Sequence, residues 1–172
     1  GISSFKFFMS FRGEEGSYIG LPPIDDGLMY ELFDNLSRRS GTVVCVHTEN
    51  IEVVWSIRER LQDQGRDDLQ AWHEARPAFV EAEAATRAMM FARETGAAAY
   101  IVHTSTEETL NEVRAFRSRG GKVVVETCPH YLTHTYESKV GTFGKQNPPL
   151  RSPSDLESMW DAIRDGTIDT IG

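Results

Sequence analysis

The sequence predicts an α/β fold in which a parallel sheet is built from alternating strands and helices. Five short apolar runs alternate with longer segments whose apolar residues recur at helical spacing. The runs are continuous rather than alternating in apolar character, which is typical of strands covered on both faces. This order favours right-handed crossover connections and leaves open whether the sheet is doubly wound or closes into a barrel.

The five predicted strands are rich in β-branched and aromatic residues. They are SFKFFM (4–9), TVVCVHTE (42–49), AAAYIVHTS (97–105), KVVVETC (122–128) and TIDTIG (167–172). No G-x-G-x-x-G or G-x-x-x-x-G-K sequence follows any of them, so neither a dinucleotide site nor a P-loop has a motif to support it.

The segments between the strands predict helices, one of them an extra helix between the second and third strands. Gly96 is a stop signal, and Ser105 with Glu108 and Ser154 with Glu157 match the capping box that starts a helix. The predicted helices cover residues 27–39, 50–64, 79–95, 106–119 and 155–165.

Composition predicts one globular domain without a nucleic-acid or membrane partner. Hydrophobic residues make up 40% and charged residues 26% of the 172 residues, and the net charge is -8. No apolar run approaches the roughly 18 residues of a membrane span, and no signal peptide is recognisable, which predicts a cytoplasmic protein. Cys45 and Cys128 lie in apolar runs and are interpreted as small hydrophobic residues.

Polar residues mark the predicted strands near their C-terminal ends, the end that faces the ligand in parallel α/β folds. Lys6 belongs to the first strand, His47 to the second and His103 to the third. Neutral imidazole is a common ligand of Zn²⁺, and side chains from neighbouring strands about 4.8 Å apart can converge on one ion.

Lys6 is the most unusual of these residues because it stands among three phenylalanines and a methionine. One interpretation is an edge-strand lysine whose ammonium reaches water. The other is a buried lysine with a lowered pKa, whose neutral amine condenses with carbon dioxide. The resulting carbamate has two oxygens and suits two metals about 3.5 to 4 Å apart.

Six blocks in order, SFKFFM, VHTEN, HEARPAFVEAEAATRA, VHTS, ETCPHYL and NPPLR, resemble the cyclic amidohydrolases of the hydantoinase and dihydropyrimidinase type. Dihydroorotase and allantoinase are relatives of that family. The resemblance implies a metal-dependent (β/α)₈ TIM barrel that binds two divalent ions, with zinc the expected metal. It also implies that Lys6 is the carboxylated metal bridge, and that His47 and His103 are ligands of one metal.

The resemblance further implies a small cyclic amide substrate and a homo-oligomer, either a tetramer or a dimer. The implied reaction is hydrolysis of a C–N bond in a cyclic amide, imide or ureide by a metal-activated hydroxide. A dihydroorotase-type or allantoinase-type hydrolase is an alternative. A catalytically silent dihydropyrimidinase-related assembly protein is the alternative from a different class.

Three positions depart from the hydantoinase pattern. Phe11 stands where that pattern has a tyrosine whose hydroxyl assists the substrate carbonyl. Asn147 begins an N-P-P-L-R block that is closer to dihydroorotase, and its amide is expected to pair with an imide or ureide edge. His130 stands where many hydantoinases have glutamine. Arg151 is expected to anchor the loop.

Two parts of the family site are not found in the sequence, namely the H-x-H pair of the first strand and the aspartate of the last. A TIM barrel needs about 250 residues. The expectation is therefore a partial barrel domain over residues 1–172, from about strand four into strand eight, in an excerpt of a longer enzyme.

Further charged residues are expected to support the site or the fold. Glu49 and Glu126 are expected to orient the metal ligands, and Arg76 is expected to shape the inserted segment. Glu81 and Glu83 are interpreted as solvated or structural helix positions.

Overall fold

A computed structural model describes residues 1–172 except for the side chains at positions 14 and 15. The strands are β1 (Ser4–Phe8), β2 (Val43–His47), β3 (Ala99–Ile101), β4 (Val124–Thr127) and β5 (Thr170–Ile171). The α-helices are α1 (Gly13–Tyr18), α2 (Asp26–Ser37), α3 (Ile51–Asp63), α4 (Leu69–Glu74), α5 (Ala78–Thr95), α6 (Glu107–Ser118) and α7 (Pro153–Arg164). Short 3₁₀ helices cover Pro129–Leu132 and Gly141–Gly144.

The five strands form one parallel sheet in the order β1-β2-β3-β4-β5. A doubly wound sheet reverses its strand order at a switch point, whereas a barrel keeps it. The sequential order therefore favours the barrel over the doubly wound alternative. The prediction of an α/β fold with parallel strands alternating with helices is confirmed.

The core lies on the face of the sheet that the helices cover. Val44, Val46, Ile101 and Val125 point to that face and are fully buried. They pack in one cluster with residues of α2, α5, α6 and α7, including Phe33, Met89, Leu110 and Met159. Each helix covers the same face because successive right-handed crossovers place their helices on one side of a sheet that keeps its strand order.

The opposite face of the sheet is open in this chain, so the prediction of strands covered on both faces is wrong for it. The register aligns Lys6 with Cys45 and Cys45 with Tyr100, which places the three side chains on this second face. Lys6 is exposed, and Cys45 and Tyr100 are half-buried. No helix among the described residues packs over them.

The N-terminal caps of two helices are residues other than those predicted. Thr106 caps α6 by accepting a hydrogen bond from the Thr109 amide, so Ser105 is not the cap. Ser152 and Asp155 form the capping box of α7, whose first residue is Pro153. Proline is favoured at the first helical position, which moves the cap two residues before the predicted Ser154.

Helices α1 and α4 were not predicted. Both have six residues, too few to show a clear apolar period. In the part of the chain that the structure describes, no helix is both long enough and apolar enough to cross a bilayer.

Glu81 is a buried carboxylate that joins three segments of the chain. It lies in α5 with 1% of its surface exposed. It accepts hydrogen bonds from the Ser105 amide at 2.9 Å and from the Thr109 hydroxyl at 3.0 Å. Arg151, which precedes α7, donates to it at 3.1 Å. Glu81 is therefore structural and not solvated, and Arg151 anchors its loop as expected.

Replacement of Glu81 is expected to destabilise the protein strongly. Glu81→Ala leaves the guanidinium of Arg151 buried without its carboxylate, which typically costs about 3–5 kcal/mol. Glu83→Ala, two positions along the same helix, is the matched control, because Glu83 is exposed and its ion pair with Arg87 should contribute only about 0.2–1 kcal/mol. Urea unfolding followed by circular dichroism measures both, and equal losses for the two variants would contradict the assignment.

Candidate active site

Two histidines meet at the C-terminal ends of neighbouring strands. His47 is the last residue of β2 and His103 lies two residues beyond β3. Their rings are 4.6 Å apart between centroids, and Nδ1 of His47 lies 2.9 Å from Nε2 of His103. His47 is only 2% exposed. The structure thus brings together two of the residues predicted to bind metal.

The backbone of His103 has an unusual conformation that its neighbours hold in place. Its φ angle is 42°, in the left-handed region that few residues other than glycine occupy. The His103 amide donates to the carboxylate of Glu126 at 3.1 Å, and the Tyr100 hydroxyl donates to the same carboxylate at 2.7 Å. Backbone strain of this kind is found at functional sites, where the surrounding structure maintains it.

His103 is neutral over the ordinary pH range. Desolvation by burial, followed by the charges of His47 and Lys6, lowers the pKa of His103 to about 2. A neutral imidazole keeps the lone pair that a metal ligand needs. The environment of His103 therefore favours the metal-binding form of the ring.

Lys6 lies on the open face of β1, in register with Cys45. Lys6 is exposed here, as in the first of its two interpretations, because β1 is the edge strand of the described sheet and no helix covers its open face. Desolvation by the groups around the ammonium still lowers the pKa of Lys6 to about 8, against the opposing charges of Cys45 and Glu126. A larger fraction of the amine is consequently neutral near pH 8 than in an ordinary lysine.

Aromatic rings border His47 on one side. The ring centroids of Phe8 and Phe11 lie 5.6 and 5.7 Å from that of His47. The φ angle of Phe11 is 58°, the second left-handed residue other than glycine near the site. Gly16 supports this turn, since a Cβ at Gly16 would lie 2.0 Å from the Phe11 carbonyl oxygen.

Glu49 and Arg76 form a charged pair behind His47. The carboxylate of Glu49 lies 3.6 Å from Nε2 of His47 and 3.3 Å from Nε of Arg76. Burial disfavours ionisation of Glu49, but the contact with His47 and the charges of His47, Arg76 and Arg151 outweigh it, and the pKa of Glu49 is lowered. Glu49 thus lies where an orienting carboxylate was expected.

The position of Arg76 was not predicted. The sequence suggested only that it shapes the inserted segment, yet it is 1% exposed and its guanidinium stacks on Trp72 at 3.4 Å. The available signal was an arginine inside the family-like block HEARP, directly after the buried Ala75. That signal does not identify Glu49 as its partner.

Asn147 lies on a separate loop. Trp72 donates to the Gln146 carbonyl at 2.8 Å and the Tyr131 hydroxyl donates to the Pro148 carbonyl at 2.6 Å, so both neighbours of Asn147 are held. The side-chain oxygen of Asn147 is buried and accepts no hydrogen bond from the described residues. Among the described residues, Asn147 is not hydrogen-bonded to His47 or His103, so the structure does not join it to the histidine pair.

The histidine pair fits a divalent metal in its donor chemistry. Nδ1 of His47 and Nε2 of His103 share a hydrogen bond of 2.9 Å, in which one nitrogen donates and the other accepts. An ion held by both rings would replace this shared hydrogen, and imidazole nitrogens suit Zn²⁺ or a similar ion. Among the described residues, no group of three His, Cys, Asp or Glu side chains converges, so this chain offers two such ligands together with the amine of Lys6.

Comparison with known proteins places these residues in a family context. The chain is 37% identical over 174 residues to the allantoinase of Deinococcus radiodurans and 35% identical over 176 residues to the D-hydantoinase of Ralstonia pickettii. It superposes on a solved structure of D-hydantoinase with a TM-score of 0.89 and 34% identity. No family model matches the chain.

These similarities cover almost the whole chain but only part of each relative. The alignments span 100% and 99% of this chain, and 38% and 37% of the two curated relatives. The superposition covers 100% of this chain and 37% of the D-hydantoinase. With its parallel strands in barrel order and these similarities over its length, the chain belongs to the cyclic amidohydrolase family of hydantoinases, dihydropyrimidinases and allantoinases.

Proposed function

We propose that the complete protein is a metal-dependent hydrolase that opens a cyclic amide, imide or ureide by cleaving a C–N bond. The observation that carries this proposal is the contact between His47 and His103 at the C-terminal ends of adjacent parallel strands, with Lys6 on the next strand. Hydantoinase-like and allantoinase-like relatives support the same class of reaction.

Each site residue has a proposed role. His47 and His103 would hold one ion, and Lys6, carboxylated by carbon dioxide, would bridge it to a second, with zinc the expected metal. A divalent pair would supply Lewis acidity for carbonyl polarisation and water activation. Phe8 and Phe11 exclude water from one side of His47. Asn147 would offer its unpaired amide oxygen to an N–H of the substrate ring.

The substrate is proposed from the pattern of hydrogen-bonding groups. Phe11 has no hydroxyl for a substrate carbonyl, whereas Asn147 has an unsatisfied oxygen. A ring with a ureide N–H fits this inventory, and several relatives are allantoinases. Allantoin, hydantoin, dihydrouracil and dihydroorotate form the test panel. Turnover of none of them by the metal-loaded protein would favour the catalytically silent assembly protein.

The proposal also covers the domain boundaries, the oligomeric state and the cellular location of the protein. The five strands are proposed to be about strand four into strand eight of one barrel domain that covers residues 1–172. Phe79 and Met90 of α5 are 49% and 47% exposed, an apolar surface that supports a homodimer or homotetramer. Light scattering would measure that state. A cytoplasmic location, expected from the sequence, is part of the same proposal.

Replacing Lys6 tests the metal bridge. In the complete protein, Lys6→Ala is expected to lose bound metal and activity together. The loss should exceed the roughly 10- to 100-fold that follows removal of a group behind a metal ligand. Metal content by mass spectrometry and initial rates measure it, with the exposed Lys139→Ala as the matched control. Unchanged metal content in Lys6→Ala would refute the carboxylated-lysine assignment.

Replacing Phe11 tests the substrate class. Phe11→Tyr restores the hydroxyl of the hydantoinase pattern and is expected to raise kcat/KM on hydantoin or dihydrouracil, by up to about 100-fold if the hydroxyl reaches the developing oxyanion. Phe8→Tyr is the control, because its ring lies equally close to His47 but belongs to β1. The absence of any gain with Phe11→Tyr would indicate a different substrate geometry.

A further inference from the structure

A cavity of about 520 Å³ opens between α3, α4 and the loop that precedes Asn147. Its volume lies within the range of roughly 300–1,000 Å³ that is typical of pockets for small molecules. Leu61 and Leu69 line its apolar part, and the ring of Trp72 forms an aromatic wall. Neither the proposed metal ligands nor Asn147 is among the described lining residues, so the cavity is separate from the candidate active site.

Basic side chains outnumber acidic ones around this cavity. The charged residues among its described lining are Arg58, Arg66, Arg76 and Lys145, together with Asp67 and Asp68. The whole chain has the opposite balance, with 26 acidic and 18 basic residues and a net charge of -8. A concave site with a local excess of positive charge attracts anions. The cavity therefore favours a negatively charged ligand.

Lys145 is the basic residue best placed to pair with such a ligand. Its ammonium lies 4.7 Å from the centroid of the Trp72 ring. It makes no hydrogen bond or ion pair with any residue in the described part of the chain. Arg66, by contrast, already pairs with Glu74 at 2.6 Å. Because contact with a ring is weaker than a charge-assisted hydrogen bond, Lys145 can exchange or supplement it when an anion enters.

Trp72 carries a second cation and contacts the loop that contains Lys145. The guanidinium of Arg76, which is 1% exposed, lies over the same ring at 3.4 Å. The ring attracts both cations, but their like charges repel each other. An anion beside Lys145 would reduce that repulsion. The Trp72 indole N–H donates to the Gln146 carbonyl at 2.8 Å, so the environment of this ring depends on the position of the loop.

We propose that this cavity binds a small organic carboxylate, whose charge pairs with Lys145 and whose apolar part lies against Leu61 and Leu69. Arg58 of α3 adds a second positive charge to the lining. The leucines favour a carboxylate with an apolar body over a bare inorganic anion, because apolar surface is then removed from water. Binding here requires no metal and does not rest on the proposed function, so either proposal can fail without the other.

The test uses the complete protein labelled with 5-fluorotryptophan and followed by ¹⁹F NMR. Trp72→Phe identifies the signal of Trp72. Titration with 4-methylpentanoate is expected to shift that signal until the site is saturated. The uncharged 4-methylpentanamide, which has nearly the same shape, should not shift it. The signal of Trp160, whose indole donates to the Leu132 carbonyl at 3.0 Å outside the cavity, should stay unchanged in both titrations.

Two lysine variants test the proposed contact. Lys145→Met removes the ammonium at an exposed position and is expected to weaken binding of 4-methylpentanoate about 10-fold or more, as for the loss of a hydrogen bond to a charged group. Lys139→Met is the matched control, because Lys139 is also exposed but does not line the cavity. Its affinity should equal that of the wild type.

The outcomes decide both the site and its ligand class. Saturable binding of 4-methylpentanoate that weakens in Lys145→Met and not in Lys139→Met would support the proposal. No shift of the Trp72 signal in the wild type, or equal affinities of the wild type and Lys145→Met, would overturn it. Binding of the amide or of inorganic phosphate as tightly as 4-methylpentanoate would refute the assignment to an organic carboxylate.

Discussion

The pairing of buried carboxylates with arginines is the constraint on which the arrangement of this site depends. Glu81 and Arg151 join α5, the start of α6 and the segment before α7, while Glu49 and Arg76 join the end of β2 to the start of α5. Isolated charges at such depth would be prohibitively costly, so each pair has to form for the chain to fold as it does. Because each buried charge must face its partner, these pairs also fix the positions of the segments that follow the strands.

One face of the sheet packs into the core, and the other carries the polar residues of the candidate site. The helix-covered face carries mainly apolar residues on its central strands, with Val44 and Ile101 completely buried. The open face carries Lys6, Tyr100 and Glu126, and the Glu126 carboxylate accepts hydrogen bonds from the Tyr100 hydroxyl and the His103 amide. Because successive side chains of a strand point to opposite faces, one β-strand can contribute residues to the core and to the site. A shift of the strand pairing by one residue would turn the core residues to the open face and the site residues to the helix-covered face.

Most of the fold could be predicted from the sequence because its signals are local. Apolar runs and helical periods depend on residues a few positions apart, and the predicted helices and strands agree with the observed ones within a few residues. The helix caps were predicted less well for a non-local reason. Ser105 has the right type and spacing for a cap, but its hydroxyl and amide are bonded to Glu81, 24 residues earlier in the chain.

The positions of site residues could be predicted only where those residues belong to, or directly follow, a predicted strand. His47 and His103 follow similar apolar runs, so their proximity could be inferred from parallel pairing. The aromatic neighbours of Lys6 left both an exposed and a buried lysine open, because exposure depends on what covers the sheet face. Arg76 had no strand pattern to place it. Its contact with Glu49 comes from the path of the segment between α3 and α5, which no residue periodicity describes.

The architecture separates metal binding from substrate choice. Two of the proposed metal ligands, Lys6 and His47, project from strands whose backbone is fixed by the parallel ladder, and His103 follows shortly after β3. The groups that differ from the hydantoinase pattern lie on loops, at Phe11 and Asn147. A loop can exchange one hydrogen-bonding group for another without moving a strand. Arg76 contacts the supports of both parts, since it touches Glu49 through its side chain and Arg151 through its carbonyl. A change of substrate in this scaffold is therefore expected to preserve Arg76 while the loop residues vary around it.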